Sequence, residues 1–146
     1  MSTAPIWDEV YPRVCFPDDI AHGRLYVAEE DGALVSAFAL CDFHPGAEAV
    51  GWRHGRGRAL YLDRLGVRVE AQGRGLGGKT LRMAMALARE RGAASLRLFA
   101  VDVNAPAIGL YRKSGFRQAE GVYLERIDDD LVLRELGFEI ALAGAT

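Results

Sequence analysis

The sequence predicts an α/β protein, and three observations carry that prediction. Short apolar runs separated by turn signals fill the chain from Arg24 onward. The periodicity then switches from two to about 3.6 after a glycine-rich stretch at residues 73–78. Beyond it a strand-like run, a second capped helix and two further strand-like runs follow in order. At 146 residues the chain has the size of one domain. No repeat, low-complexity tract or linker divides it, so residues 1–146 are read as a single domain.

Each element has a local reason. Residues 6–20 carry Pro12, Pro17 and scattered apolar positions, as in a short helix or an irregular cap. Leu25-Tyr26-Val27-Ala28 and residues 34–40 are strand-like, and the Asp31-Gly32 pair between them signals a hairpin. A third strand spans about 59–69, where Leu65, Val67 and Val69 alternate with Arg64, Gly66 and Arg68. Leu76, Thr80, Met83 and Leu87 then mark the inner stripe of a helix whose opposite face carries Lys79, Arg82 and Arg89. Gly92 ends that helix, and residues 96–101 return to strand character. Asn104 caps a second helix that tolerates Pro106 in its first turn and stops at Gly115. Residues 116–127 and 131–142 read as two strands joined by a solvated turn, Asp128-Asp129-Asp130.

Composition excludes several function classes. Eighteen basic and 20 acidic residues leave a net charge of -2, so neither a nucleic acid nor an anionic membrane is an expected partner. No run approaches the roughly 20 apolar residues of a membrane span, and the first residues lack the basic start and apolar run of a signal peptide. A cytoplasmic protein is expected, with Cys15 and Cys41 as reduced core thiols. Neither cysteine has metal-ligand spacing, so no metal is expected.

The segment Gly73-Arg74-Gly75-Leu76-Gly77-Gly78-Lys79-Thr80 satisfies a dinucleotide fingerprint and a P-loop pattern, and it overlaps Gln72-x-x-Gly75-x-Gly77. All three share one physics. Glycines let backbone N–H groups approach a phosphate at the positive end of a helix dipole. A P-loop reading gains some support from the apolar run ending in Asp102, but only one clear helix follows the loop, where parallel nucleotide-binding sheets need several crossovers.

Three segments carry a resemblance instead: the strand Leu65-Gly66-Val67-Arg68-Val69, the loop from Gln72 to Gly78, and Asn104-Ala105-Pro106-Ala107 continuing to Leu110-Tyr111-Arg112-Lys113-Ser114-Gly115-Phe116. In their order and spacing, residues 63–123 resemble the GCN5-related N-acetyltransferase (GNAT) superfamily. The resemblance implies a mixed, mostly antiparallel twisted sheet flanked by helices, with acetyl-coenzyme A as cosubstrate and a primary amine, on a small molecule or a peptide, as acceptor. It implies that Gln72, Gly73, Arg74, Gly75, Leu76, Gly77 and Gly78 cradle the pyrophosphate, with Lys79 adding charge. Leu65, Gly66, Val67 and Val69 resemble the strand that pairs with the pantetheine amides, where Gly66 suits a bulge or close approach. Asn104 and Ala107 resemble positions beside the pantetheine arm, and Tyr111 the general acid that serves the leaving thiolate. A base is also required, with Asp63 as first candidate and His44 and Glu48 behind it. The strand and helices that usually open the superfamily have little room before Leu25, so a shortened N-terminal strand and helix, an uncovered sheet edge and a homodimer are expected. A catalytically silent acyl-coenzyme A-binding module of the same fold is the alternative, with a nucleotide binder behind it.

Overall fold

The computed structural model describes residues 25–30, 33–67 and 75–142. Strands β1 (Leu25–Glu30) and β2 (Ala33–Cys41) form an antiparallel hairpin in which Glu30 opposes Ala33, the two-residue connection that an Asp-Gly pair favours. Strand β3 (Ala59–Val67) returns antiparallel to β2 and leads toward helix α1 (Leu76–Glu90). The helix is the crossover that lets β4 (Ser95–Val101) lie parallel to β3. Helix α2 (Ala105–Lys113) and strands β5 (Arg117–Gln118), β6 (Tyr123–Asp128) and β7 (Leu131–Ala141) complete the described elements. The sheet order is β1-β2-β3-β4-β7-β5, with β6 also paired to β7. Among the described residues β3–β4 is the sole parallel pair, which is not the sheet of a parallel nucleotide-binding fold. The result is an open, mostly antiparallel α/β sheet, as expected.

Strand alternation sorts side chains to two faces. On one face Phe38, Leu40, Leu60, Leu62, Leu96, Leu98 and Phe138 pack against Leu81, Ala84 and Ala88 of α1 and against Tyr111 of α2. Each such fully buried Leu or Phe contributes about 1.5–3 kcal/mol. The buried stripe of α1 is Leu76, Thr80, Leu81, Ala84 and Ala88. This corrects the expected stripe at one position, since Met83 is 40% exposed. Two alanines one turn apart let the helix approach the sheet closely, and that close seat, not the bulk of Met83, sets which side faces inward. A buried Ser36 Oγ–Thr80 Oγ1 hydrogen bond of 2.8 Å ties the first turn of α1 to β2.

Residues 42–58 cover the other face. The carboxylate of Glu139, only 1% exposed, accepts the backbone N–H groups of Arg53 at 2.6 Å and His54 at 2.8 Å. Arg97, its register partner on β4, donates to the Tyr61 hydroxyl at 2.8 Å and the His54 carbonyl at 2.9 Å, with its guanidinium 4.5 Å from the centre of the Trp52 ring. Gly137 leaves room for this cover, because a Cβ there would lie 3.0 Å from Trp52 and 3.1 Å from Val50.

The expected strand over 116–127 is instead two, β5 and β6. Gly121, at φ +90°, turns the chain, while Glu120 forms an isolated bridge with Gly51. In the aspartate turn, Asp128 Oδ1 accepts the Asp130 N–H at 2.8 Å, a local Asx turn. The expected N-terminal segment, the hairpin residues Asp31 and Gly32, and Cys15 lie outside the described residues. Among the described residues, no helix is long and apolar enough to cross a membrane.

Candidate functional site

The parallel ladder between β3 and β4 consists of three register pairs, Ala59–Ser95, Leu60–Leu96 and Tyr61–Arg97. Among the described residues the β3–β4 ladder ends at Tyr61, where the two strands part, and β3 continues paired to β2. A cavity of about 630 Å³ opens in this split. Asp63, Leu65, Asn104, Ala107 and Tyr111 line it, five of the residues the sequence singles out.

A bulge shapes the β3 wall. Between Asp63 and Gly66 the strand carries one residue more than β2 does between Ala39 and Ala37. The irregular residue is Arg64, at φ +53°, and not Gly66, which pairs in register with Ala37. A left-handed backbone costs a non-glycine residue about 1–2 kcal/mol. Asp63 offsets part of that cost by accepting both the Arg64 N–H, at 2.9 Å, and its guanidinium, at 3.1 Å.

On the helical side Tyr111 packs its ring against Phe116 and Phe138 and is 7% exposed. Burial, with the Asp63 carboxylate nearby, pushes its phenol up to about 12, so it stays protonated throughout the physiological range. Asn104 caps α2 by accepting the Ala107 N–H at 3.3 Å while lining the cavity.

The opposite side is acidic, and two of its residues went unseen in the sequence. Glu135 of β7 and Glu125 of β6 both line the cavity, and the pairing of Tyr123 with Glu135 and of Glu125 with Leu133 puts the two carboxylates on one face. Burial first, then Glu125 and Asp63, push the Glu135 carboxyl up to about 8. The signal was legible in retrospect, because Glu135 continues the alternation of Leu131 and Leu133 and so stands where an apolar residue would be expected. Arg64 carried no such signal, since nothing in its sequence context announces a left-handed residue.

His44 stacks on Phe99 with 4.2 Å between ring centroids, and its Nδ1 accepts the Gly46 N–H at 2.9 Å. Burial lowers its pKa, keeping the ring neutral. In the tautomer this hydrogen bond requires, Nε2 carries the hydrogen, so His44 can donate there but cannot accept a proton. Glu48 is exposed on the covering segment and is not among the cavity residues.

The start of α1 is built differently. Its N-cap is Gly75, at φ +76°, which supplies no side-chain cap, and its first turn holds no acidic residue. The first-turn N–H groups of Leu76, Gly77 and Gly78 therefore have no side-chain acceptor from the cap residue or the first turn, and a Cβ on Gly75 would meet nothing within 4 Å among the described residues. Leu76 itself is a core side chain, packed with Val35 and Val67, while Lys79 is exposed. An uncapped, glycine-lined helix start suits a diphosphate. Val69, Gln72, Gly73 and Arg74 lie outside the described residues. So does any group of theirs that would complete the cradle.

The chain matches the Acetyltransferase (GNAT) family over residues 2–116. It is 33% identical over 84 residues to a thialysine N-epsilon-acetyltransferase of Bos taurus, covering 56% of this chain and 49% of the relative. It is 44% identical over 57 residues to the streptothricin acetyltransferase of Streptomyces lavendulae, covering 39% of this chain and 30% of that one. The matches thus span about half, or less, of these relatives. Among solved structures, a GNAT-family acetyltransferase from Streptococcus agalactiae superposes with a TM-score of 0.73 at 24% identity, over 93% of this chain and 76% of its own. The ribosomal-protein-alanine N-acetyltransferase of Brucella melitensis gives 0.66 at 25% identity, over 93% and 80%. A Salmonella typhimurium structure with its cofactor acetyl-CoA gives 0.65 at 19% identity, over 94% and 76%.

Proposed function

Because the chain belongs to the Acetyltransferase (GNAT) family, we propose that it moves an acetyl group from acetyl-coenzyme A to a primary amine, by direct attack within a ternary complex. The observation that carries this reading is the parting of β3 from β4 beyond Tyr61, with the cavity between them. A strand edge that lines a cavity inside a sheet is a template for an extended amide chain, and the pantetheine arm is such a chain. Leu65, Gly66, Val67 and, further along, Val69 pair with it, while Asn104 and Ala107 flank it from α2. The backbone N–H groups from Gln72 to Gly78 hold the diphosphate at the helix start, with Arg74 and Lys79 supplying positive charge.

The bound thioester supplies an activated acetyl carbonyl. The chain supplies the rest. A backbone N–H of β3 beyond Arg64, whose own N–H is given to Asp63, stabilises the oxygen that gains charge when the amine attacks. The C–S bond then breaks with Tyr111 donating a hydrogen bond to the departing thiolate, and the proton that the attacking nitrogen sheds passes to that sulfur or to solvent. An ammonium has no lone pair and must first lose a proton. A carboxylate on the cavity wall accepts it, with Asp63 as the candidate from the cofactor strand. Two relatives are named for acetylation of thialysine and streptothricin. From these names the reading takes only the reaction, acetylation of an amine on a small molecule or peptide.

A thermal-shift comparison of acetyl-coenzyme A with magnesium-ATP, followed by thiol release with a panel of amines, tests the reading. Acetyl-coenzyme A alone should raise the melting midpoint, because a ligand bound only by the native state stabilises it. Thiol release with no amine in the panel would leave only a silent acyl-coenzyme A binder.

A further inference from the structure

We propose that Glu125 and Glu135 form a cation site in the acceptor half of the cavity, taking an aliphatic primary ammonium whose carrier bears no carboxylate beside the amine. The inference rests on the acetyltransferase reading for its reaction, but its evidence is separate. Glu135 lines the cavity and is 9% exposed; its carboxyl shares a hydrogen bond with that of Glu125, while among the described residues its Oε2 has no hydrogen-bond partner. A buried acceptor without a donor is costly, and an ammonium supplies three donors. Glu125, diagonal to Glu135 across the β6–β7 ladder and hydrogen-bonded to it, is on the same face and offers the ammonium a second carboxylate.

The remaining lining decides the class. Among the described residues Arg64 is the cationic side chain of the wall, and its guanidinium lies 3.1 Å from the Asp63 carboxylate. A carboxylate on the carbon bearing the amine would therefore lie among three acidic side chains. Ile127, Leu131 and Leu133 continue the wall from Glu125 and Glu135 with hydrocarbon. An alkyl arm fits there, with its ammonium at the pair.

The pair also makes the site pH-dependent. The charged or titratable groups around Glu135 are Glu125 and Tyr123 from β6 and Asp63 from β3, and Arg64 from β3 and Tyr111 from α2 line the same cavity. Burial and the two neighbouring carboxylates hold Glu135 protonated below about 8. The ionised form is the one that binds a cation, so affinity should rise as pH rises through that value, while an alkylamine stays charged to about 10.

Calorimetry on the full chain with coenzyme A present, using n-pentylamine and norleucine, tests this. The two ligands differ by a carboxylate on the amine-bearing carbon. Pentylamine should bind about tenfold or more tightly than norleucine, and more tightly at pH 8.5 than at pH 6.5. Glu135→Gln should cost at least about tenfold at the higher pH and remove the pH dependence, and Glu125→Gln should weaken binding in the same direction. Coenzyme A affinity should not change in either variant. Equal binding of the two ligands, no pentylamine binding at millimolar concentrations, or wild-type affinity in Glu135→Gln overturns the cation site. Failure of coenzyme A itself to bind overturns the acetyltransferase reading instead.

Discussion

Replacing Tyr111 by Phe removes one oxygen and keeps the ring that packs 6.2 Å from Phe116 and 5.8 Å from Phe138. The expected rate loss follows from the acidity of the site. A phenol at about 12 facing a thiolate whose acid has a pKa of about 8.5 would give up its proton about 5 kcal/mol uphill. Full transfer before the C–S bond breaks is therefore disfavoured, and the phenol acts as a hydrogen-bond donor to developing charge. Such a bond is worth about 1.5–3 kcal/mol, which puts the fall in kcat at about ten- to 150-fold. KM for acetyl-coenzyme A should hardly move, because the contact forms only as the sulfur departs. Stability gives an independent readout. Burial raises the phenol above its ordinary value of 10.0, so the stability of the neutral form is complete below pH 10 and is lost as pH climbs toward 12. The wild-type chain should lose about 3 kcal/mol over that interval that Tyr111→Phe does not lose. Steady-state and pre-steady-state thiol release, with urea melts at alkaline pH, measure both effects. Full kcat in the variant with chemistry rate-limiting would refute the role in catalysis, and superimposable alkaline melts would refute the buried phenol.

Three further outcomes are expected. Gly75→Asp sets a negative charge at the start of α1, where φ is +76°, and should lower coenzyme A affinity by more than about tenfold in calorimetry while leaving the circular dichroism spectrum unchanged. Glu139→Ala removes the acceptor of the Arg53 and His54 N–H groups and should destabilise the chain by about 3–5 kcal/mol in urea, with Glu139→Gln losing less; a change below about 1 kcal/mol would show that the covering segment is held by other contacts. His44 has a lowered pKa, so its contribution to stability is present above about 6.5 and lost as pH falls below it, because the unfolded chain takes up the proton first. The melts of His44→Asn should accordingly be less acid-sensitive than those of the wild type, and equal sensitivity would argue against a neutral ring.

Most of the fold was legible because its signals are local. Period-two runs gave β1 to β4, and Asn104 and Gly115 bounded α2 through capping and left-handed geometry. Met83 misled because periodicity alone cannot separate two adjacent stripes of one helix, and the small Ala84 and Ala88 decide which one seats. The break between β5 and β6 has a local sign in Gly121, at φ +90°, but the Gly51–Glu120 bridge beside it joins residues some 70 apart in sequence and has none. At the site, Tyr111 and Asn104, singled out by their motif, and Asp63, the first candidate base, line the cavity. Glu125 and Glu135 enter it only because β4 and β7 pair at Val101 and Glu135, far from any motif.

The three register pairs that join β3 to β4 also make the sheet two leaves on one short clasp, with β1, β2 and β3 in one leaf and β4, β7, β5 and β6 in the other. Asp63 stands two residues beyond the clasp and Val67 six, about 7 and 20 Å along the strand. A rocking of the leaves by about 5° would thus move Asp63 by about 0.6 Å and Val67 by about 1.7 Å relative to β4. The acidic walls belong to different leaves, Asp63 to the first and Glu125 and Glu135 to the second. A chain of amides bonded along β3 and touching α2 would brace the leaves at their far ends, where leverage is greatest, and so fix the width of the acceptor pocket. Amide hydrogen exchange along residues 62–67 should slow when coenzyme A binds, and so should exchange at β7 amides near Glu135, which the ligand itself does not touch.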